Sequence, residues 1–309
     1  MAQAFDRVWH PGLLYKLRFL PTPYYLIIQS FLSNRHFRVS CDDAFSEYHT
    51  INAGVPQGSI LAPTLYNIYT SDIPHNINTT FGTFADDTGI IASDTNPETA
   101  SLLLQTHLNQ LQGWFLKWRI KINETKSSHI TFALRPRDCP PIYINDRQIP
   151  TEPTVKYLGM HLDRRLTWST HIKTKRKLLN HRLHQLRPLL KSNLPIQKKI
   201  LIYKLLLNPI ATYGIHFWGA AKNSNLKNLQ AFQSISLRII TNAPWYVSNL
   251  TLHNDLNISP ISDQASKLYK RFHKKLHHHP NPLIANLSTI ELPDTTRRLK
   301  RKWSRDLLS

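Results

Sequence analysis

One amphipathic pattern, over residues 96–118, restricts the fold more than any other feature. Asn96 supplies an N-cap, Pro97 suits the first helical position, and Glu98 places an acid in the first turn of a helix. Apolar side chains then recur at the three- and four-residue steps of one helical face: Leu104, Leu108, Leu111, Phe115 and Trp118. The pattern predicts a long helix that packs this face against a core.

Hairpins are expected before this helix. Residues 81–92 contain two short β-prone runs that meet at Asp86-Asp87, which predicts a hairpin with the acids at its tip. A second hairpin is predicted over residues 37–51, with its own acidic pair, Asp42-Asp43, near the turn. Asp is a common turn residue, so either pair can be purely structural. Alternatively, two adjacent carboxylates repel one another, and a divalent cation such as Mg²⁺ relieves that repulsion.

The remaining elements of the first half complete a mixed fold. Apolar alternation over residues 120–134 predicts a strand with Ile130, Phe132 and Leu134 on one face, and strands are also expected at 142–144 and 155–162. Short helices are predicted after Pro11-Gly12, over 24–31, and again where Leu65, Ile68 and Tyr69 would point inward. The first half is therefore expected to be α+β, with antiparallel strands.

The pattern becomes helical near Trp168. Ile172, Leu179, Leu183, Leu186 and Leu190 form one apolar stripe, and helices are also predicted over residues 196–207 and 226–240. The other faces of the first of these helices are predicted to carry its cations: Lys173, Lys175, Arg176, Lys177, Arg182 and Arg187. Such a surface either binds phosphates or is an ordinary solvated face.

Composition limits the possible partners. The 309 residues carry a net charge of +20, which favours a polyanion such as nucleic acid. No apolar run long enough to span a membrane and no signal-like leader is present in the sequence, so we expect an intracellular protein of the nucleus or cytoplasm without membrane association. Two distant cysteines indicate neither a disulfide framework nor a zinc knuckle. The basic run at 297–303 suits a nucleic-acid arm, a nuclear address or a plain tail.

Two further segments attract attention. Residues 54–63 combine two glycines and prolines with Gln57 and Ser59 ahead of a helix, a loop that lets backbone and amide groups approach a ligand closely. The alternative is an ordinary helix start. Lys126 lies between the long helix and the next predicted strand, and by itself it would be assigned to the solvated surface.

The ordered motifs together resemble reverse transcriptases. The closest resemblance is to the RNA-directed DNA polymerases of jockey-like non-LTR retrotransposons. It rests on Ala4-Phe5-Asp6, Gly54 to Ser59, Phe84-Ala85-Asp86-Asp87, Asn123 to Lys126, Tyr157-Leu158-Gly159, Tyr213-Gly214 and Trp218-Gly219. The resemblance implies a right-hand polymerase, in which a palm with an antiparallel sheet and flanking helices precedes a helical thumb. Palm, thumb and basic C-terminal region are expected over residues 1–168, 169–245 and 246–309.

The resemblance also implies residue roles. Asp86 would bind two Mg²⁺ ions with help from Asp87, and the ions would activate the primer hydroxyl and bridge the triphosphate. Lys126 would protonate the leaving pyrophosphate. The expected nucleotide-binding residues are Phe5, Pro56, Gln57, Gly58 and Ser59. Tyr157, Leu158 and Gly159 would grip the primer end. The expected partners are an RNA template, a DNA primer and deoxynucleoside triphosphates.

One departure from the family pattern weakens this expectation. The family carries a second metal-binding Asp four residues before the alanine that Ala4 matches, which falls immediately before Met1. Asp6 matches a non-catalytic position of the same motif. We therefore expect an N-terminally truncated enzyme, without fingers, that has little polymerase activity. A non-catalytic nucleic-acid-binding remnant is the alternative. A group II intron maturase would share the Gly54 to Ser59 motif, but Trp218-Gly219 argues against it.

Overall fold

The computed structural model describes residues 5–133, 138–288 and 303–308. Ala4, Leu134 and most of the basic run, residues 297–302, lie outside the described residues. The chain divides into two compact units, Met1–Pro153 and Thr154–Ser309. Each unit has a hydrophobic core of its own.

The described residues of the first unit include four α-helices: α1 (His10–Lys16), α2 (Thr22–Leu32), α3 (Leu61–Tyr69) and α4 (Pro97–Lys117). Proline stands in the first turn of α1, α2 and α4, where its missing N–H costs nothing. The side chain of Asn96 accepts a hydrogen bond from the backbone N–H of Glu98 and caps α4, as the sequence predicts. The predicted short helices and the long helix are therefore confirmed.

The strands of the first unit form two-stranded antiparallel pairs. β1 (His36–Phe37) pairs with β4 (His49–Thr50), and between them β2 (Ser40–Cys41) pairs with β3 (Ala44–Phe45). β5 (Thr79–Phe84) pairs with β6 (Asp87–Ala92), and β7 (Tyr143–Ile144) pairs with β8 (Arg147–Gln148). Both predicted hairpins that carry acidic pairs are present.

Helix α4 contributes to two apolar clusters. Its C-terminal half joins the main core, where Leu111, Trp114, Phe115 and Trp118 meet buried residues of the N-terminal segment, α1 and α3. Its N-terminal half packs Leu104 and Leu108 on the region of β7 and β8. This helix is the central support of the unit, as its apolar pattern predicts.

The predicted strand over residues 120–134 is wrong for the residues described. Glu124–Lys126 forms a short 3₁₀ turn, whose first residue follows the capping side chain of Asn123. His129 makes only an isolated bridge to Thr151. The alternating apolar residues Ile120 and Ile122 pack against the α4 clusters rather than along a neighbouring strand, which explains the misleading period.

The second unit begins with a hairpin and continues as helices. β9 (Thr154–Tyr157) pairs with β10 (Met160–Asp163), so the predicted run 155–162 is two strands joined at Leu158-Gly159. The helices that follow are α5 (Ser169–Lys191), α6 (Ile196–Ile202), a π-helical turn (Tyr203–Leu207), α7 (Asn208–Thr212), α8 (Ile215–Trp218), α9 (Asn223–Thr241), α10 (Asn249–Asp255), α11 (Ile261–Leu276) and α12 (Pro282–Ala285). The predicted helical character of this half is confirmed.

The core of the second unit corrects one prediction. Ile172, Leu179, Leu183 and Leu190 are buried, and α5 packs mainly against α9. Lys175, predicted on a solvated face, is only 7% exposed. It lies on the buried face of the helix, between Ile172 and Leu179 at helical spacing, and its ammonium group donates to two backbone carbonyls of Ile210 and Tyr213. Within the described part of the chain, no helix is both long and apolar enough to cross a membrane.

Candidate active site

The acidic turn between β5 and β6 is the centre of the candidate site. Phe84 pairs with Asp87, so Ala85 and Asp86 form a two-residue loop and Asp87 begins the returning strand. Ala85 has a φ of 51°, in the left-handed region that costs a residue with a Cβ about 1 kcal/mol or more. Both carboxylates are exposed. The predicted hairpin with acids at its tip is confirmed.

One face of this hairpin rests on α4. The imidazole of His107 is fully buried and contacts the Thr79 hydroxyl at 2.6 Å and the Pro74 carbonyl at 3.0 Å. Phe81 and Ile90, directly opposite each other across the strands, both pack on the cores. Because side chains alternate between faces, Asp87 stands on the opposite, exposed face of the hairpin. The sheet therefore presents this carboxylate away from α4.

Tyr66 on α3 supports the acidic turn from behind. Its hydroxyl donates to the Ala85 carbonyl at 3.3 Å, and its ring lies 4.8 Å from that of Phe5. Burial and, secondly, the negative charge of Asp86 raise the pKa of Tyr66 to about 12, so the phenol stays protonated as a donor. Sequence reasoning missed this residue. The only available signal was its position on the apolar face of α3, where an aromatic residue suggests nothing but packing.

The loop over residues 54–59 is joined to the N-terminal turn. The backbone N–H groups of Gly54 and Val55 donate to the carbonyls of Val8 and Phe5, at 2.8 and 2.7 Å. Gly54 has a φ of 95°, and a Cβ there would stand 2.8 Å from the Asp6 carbonyl oxygen. Glycine is required at this position for both reasons.

The outer part of the loop is accessible to solvent. Gln57 and Gly58 are exposed, whereas Pro56 is half-buried. The Gln57 amide donates to the Asp6 carboxylate at 2.8 Å. The Ser59 hydroxyl accepts from the Ala62 backbone at 3.1 Å, at the start of α3. Thus the loop offers exposed polar groups on a backbone that is fixed at both ends.

Lys126 occupies a separate position in the first unit. It ends the 3₁₀ turn after α4, and its backbone N–H donates to the Asn123 side chain at 3.2 Å. Its own side chain is exposed. The turn fixes the backbone of this residue while leaving the ammonium group in solvent.

The carboxylates fit a Mg²⁺ site only in part. Mg²⁺ is commonly held by one or two carboxylates together with substrate phosphates, and Asp86 with Asp87 can supply such a pair. The described residues contain no group of three or more His, Cys, Asp or Glu side chains that could hold a metal. The Asp6 carboxylate instead accepts from Gln57. Among the residues that the structure describes, the donors therefore fit one ion completed by phosphates, and they do not fit a pair of ions.

The predicted primer-binding segment lies in the second unit, at the turn between β9 and β10. Leu158 and Gly159 both have positive φ angles, of 45° and 76°. The Tyr213 hydroxyl donates to the Leu158 carbonyl at 2.8 Å. A Cβ on Gly159 would stand 3.3 Å from the Tyr213 ring. The conformation of the turn and the place of Tyr213 are therefore mutually dependent.

Tyr213 is in turn held by buried groups. Its carbonyl accepts from the Lys175 ammonium at 3.0 Å and from the Trp218 indole at 2.8 Å. Burial lowers the pKa of Lys175 to about 8. The ammonium also lies 5.4 Å from the centre of the Trp218 ring, a cation–π arrangement that offsets part of its desolvation.

Comparison with known proteins identifies the family. Residues 1–162 match the sequence model described as reverse transcriptase (RNA-dependent DNA polymerase). The chain is 38% identical over 315 residues to a probable RNA-directed DNA polymerase from transposon X-element of Drosophila melanogaster. The aligned residues cover 99% of this chain and 34% of that protein. It is also 38% identical over 322 residues to the RNA-directed DNA polymerase from mobile element jockey of the same species. That alignment covers 99% of this chain and 35% of the jockey protein.

These relatives also set a limit. A jockey polymerase of Drosophila funebris is 37% identical over 323 residues, again with 99% of this chain and 35% of the relative covered. The chain thus spans about a third of the length of the curated relatives that it matches. The resemblance to jockey-like enzymes is confirmed, and since the family pattern extends over half of the sequence, the chain belongs to the reverse transcriptase (RNA-dependent DNA polymerase) family.

Proposed function

We propose that this chain is the palm portion and the helical thumb of an RNA-directed DNA polymerase from a non-LTR retrotransposon. The supporting observation is one connected cluster in the first unit. Tyr66 links Phe5 to the turn of Asp86, while hydrogen bonds tie the loop 54–59 to Phe5 and Asp6. These segments are far apart in sequence, and each belongs to the motifs that the resemblance assigns to nucleotide transfer. The substrates would be an RNA template, a DNA primer and deoxynucleoside triphosphates.

The proposed division of labour follows the exposure of each group. Asp86 and Asp87 would hold Mg²⁺, which when bound stabilises negative charge on the phosphate oxygens. The exposed Gln57 and Gly58 would approach the triphosphate, with Pro56 and Ser59 fixing the loop. Phe5 would stand beneath the sugar.

Two other segments would have roles of their own in the reaction. Lys126 would donate a proton to the leaving pyrophosphate. The turn of Tyr157, Leu158 and Gly159 would hold the primer end. In this architecture the palm extends over residues 1–168, the thumb over 169–245, and the C-terminal region over 246–309.

We further propose that the 309-residue polypeptide on its own polymerises poorly. Two-metal transfer needs carboxylates that hold both ions, and the described residues gather only the adjacent pair of Asp86 and Asp87. A longer polypeptide, the extended polypeptide, would join this chain to the segment that precedes the matched residues in the jockey relative and would be designed to carry the second metal-binding Asp that the resemblance implies.

Primer extension on an RNA template tests both proposals. In the extended polypeptide we expect Mg²⁺-dependent DNA synthesis that falls at least about 100-fold in Asp86→Ala, because an electrostatic contribution of several kcal/mol is lost. Asp42→Ala is the matched control, because it also replaces the first aspartate of an acidic pair by alanine. This variant should retain full activity.

The possible outcomes separate the proposals. A folded extended polypeptide that synthesises no DNA, or one that is insensitive to Asp86→Ala, would contradict the polymerase assignment. Synthesis by the 309-residue chain alone, lost in Asp86→Ala, would contradict only the proposed impairment.

A second candidate function is non-catalytic binding of nucleic acid. No Asp or Glu occurs between Asp163 and Asp255, a stretch that contains all of α5 to α9. On α5 the exposed cations are Lys173, Lys177, Arg182, Arg187 and Lys191. Salt-sensitive RNA binding that is unchanged in Asp86→Ala, together with no synthesis by either polypeptide, would favour this function.

A further inference from the structure

Two aromatic side chains project from the loop between α9 and α10. Trp245 is 89% exposed and Tyr246 is 72% exposed, the highest values of any aromatic residue in the described part of the chain. Their ring centroids are 6.0 Å apart and their planes stand at 80° to each other. The edge-to-face arrangement leaves ring faces uncovered. Leaving two large aromatic rings in water forgoes the free energy that burial would provide, so their exposure calls for an explanation.

The loop that carries the rings is firmly held. The Arg238 guanidinium donates to the Pro244 carbonyl at 2.8 Å, the Val247 carbonyl at 2.6 Å and the Asn249 side chain at 3.0 Å. The Val247 N–H closes a turn onto the Pro244 carbonyl at 3.2 Å. Val247 itself packs on the core of the second unit. The rings are therefore presented on a preorganised support, and a ligand would bind them with little loss of loop entropy.

The charge around the loop indicates the class of ligand. The loop belongs to the acid-free stretch between Asp163 and Asp255. Half-buried Arg238 places a positive charge against the loop itself, whereas the exposed Lys222 and Lys227 stand at the beginning of α9, the end of the helix remote from the loop. A positive surface attracts a polyanion, and exposed rings stack on flat aromatic groups. Unpaired bases on a phosphate backbone combine both properties.

The immediate surroundings favour a nucleic acid over a protein or lipid surface. The exposed residues Asn242, Ser248 and Asn249 beside the rings are polar. The apolar patch is thus small: beside the two rings, Pro244 and Leu250 are the exposed aliphatic side chains among the described residues of the loop and the first turn of α10. A base requires only such an area, whereas stable docking of a protein needs a much larger one.

We propose that Trp245 and Tyr246 form a base-stacking site for single-stranded nucleic acid, with the acid-free stretch attracting the backbone. The site does not require the polymerase reaction, so it stands or fails independently of Asp86. Both single-stranded RNA and single-stranded DNA carry the required chemistry, and the experiment separates them.

Fluorescence anisotropy of the 309-residue chain with labelled 20-nucleotide oligo(U), oligo(dT) and a blunt duplex tests the proposal. We expect the double variant Trp245→Ala/Tyr246→Ala to bind the single strands about 10- to 100-fold more weakly, because stacking on each base is lost. The duplex affinity should stay unchanged, since paired bases are not available to the rings. The dependence of affinity on salt should also persist, as no cation is removed.

Three further variants exclude simpler explanations. Trp245→Phe/Tyr246→Phe keeps two ring faces and should bind the single strands within about threefold of the parent chain. Leu250→Ala, 67% exposed and near the same loop, should have no effect if aromatic stacking rather than general apolar contact is responsible. Asp42→Ala, in the exposed β2–β3 hairpin, should also bind normally, which shows that a change of surface charge elsewhere does not alter the affinity. Circular dichroism would confirm that each variant is folded.

Several results would overturn the proposal. The proposal is wrong if the double alanine variant binds both single strands with unchanged affinity. It is also wrong if this variant loses as much affinity for the duplex as for the single strands, or if Leu250→Ala loses as much single-strand affinity as the double variant. Loss of binding to phosphatidylserine vesicles with unchanged oligonucleotide affinity would assign the rings to a lipid surface instead.

Discussion

Two hairpins of the first unit carry adjacent aspartates at their turns, yet their surroundings differ. In the β2–β3 hairpin Asp42 has a φ of 50°, and in the β5–β6 hairpin Ala85 has a φ of 51°, so each turn has one left-handed residue that is not glycine. Both acidic pairs are exposed. The two loops thus share this backbone feature, although acids fill both loop positions in the first hairpin and only one, Asp86, in the second.

The difference lies behind each turn. Every residue from 36 to 50 is exposed. The Arg38 guanidinium lies over two of the exposed rings, 4.1 Å from the ring centroid of Phe45 and 5.3 Å from that of Tyr48. The β5–β6 hairpin instead rests on α4 and on the buried Tyr66. A carboxylate pair is useful for metal chemistry only when its position is fixed, because a displacement of about 1 Å of the reacting groups already lowers the rate strongly. Support distinguishes these pairs more than their composition does.

A third hairpin extends the comparison. The Tyr213 hydroxyl donates to the Leu158 carbonyl in the β9–β10 turn, as the Tyr66 hydroxyl does to the Ala85 carbonyl. In each case a tyrosine from a neighbouring helix or helix end holds the carbonyl of a left-handed residue. The two turns that the family resemblance assigns to function thus share one supporting device, found in separate units of the chain.

The largest expected effect comes from removing the support of the acidic turn. Tyr66→Ala deletes a buried aromatic ring together with its hydrogen bond, so we expect the free energy of unfolding to fall by about 3–5 kcal/mol. Tyr48→Ala removes a ring that is 67% exposed and should cost about 0.5 kcal/mol or less. Urea denaturation followed by circular dichroism measures both. Equal costs would show that the first hairpin has a support not visible in its contacts.

Amide hydrogen exchange should show the same contrast in the unmodified chain. The residues of β2–β3 are all exposed, whereas β5 and β6 pack on α4. Local opening should therefore be easier in the first hairpin, and we expect its amides to exchange about 100-fold faster. Matching protection in the two hairpins would contradict the proposed difference in support.

The sequence allowed a prediction of elements more readily than of these supports. Helix α4 was predictable because Asn96, Pro97 and a regular apolar face act locally. The predicted strand over 120–134 failed because residues such as Ile122 alternate to meet α4 rather than a partner strand. Lys175 and Tyr66 could not be assigned from sequence, since their partners at Tyr213 and Ala85 are distant along the chain. Local periodicity carries no information about such contacts.

The free energy of unfolding should depend on pH through Lys175, the buried residue that binds the Tyr213 carbonyl. Burial lowers the folded-state pKa of Lys175 from 10.5 to about 8. Between these values the unfolded chain binds a proton that the folded chain has released, so stability should rise with pH over this interval, by about 1–3 kcal/mol. Lys175→Met should flatten the rise, which thermal unfolding from pH 8 to 10.5 would measure. Lys173→Met, an exposed neighbour on α5, is the matched control and should retain the rise.

The smallest effect isolates the hydroxyl groups of the two supporting tyrosines. Tyr66→Phe and Tyr213→Phe keep both rings and remove one hydrogen bond each, at an expected cost of about 0.5–1.5 kcal/mol. Tyr48→Phe should be neutral, because that ring lies on the exposed hairpin. In the extended polypeptide, Tyr66→Phe should lower the rate of nucleotide addition, whereas Tyr213→Phe should weaken primer binding. If both variants changed the same kinetic parameter equally, the two turns would not have separate roles, and the shared device would serve stability alone.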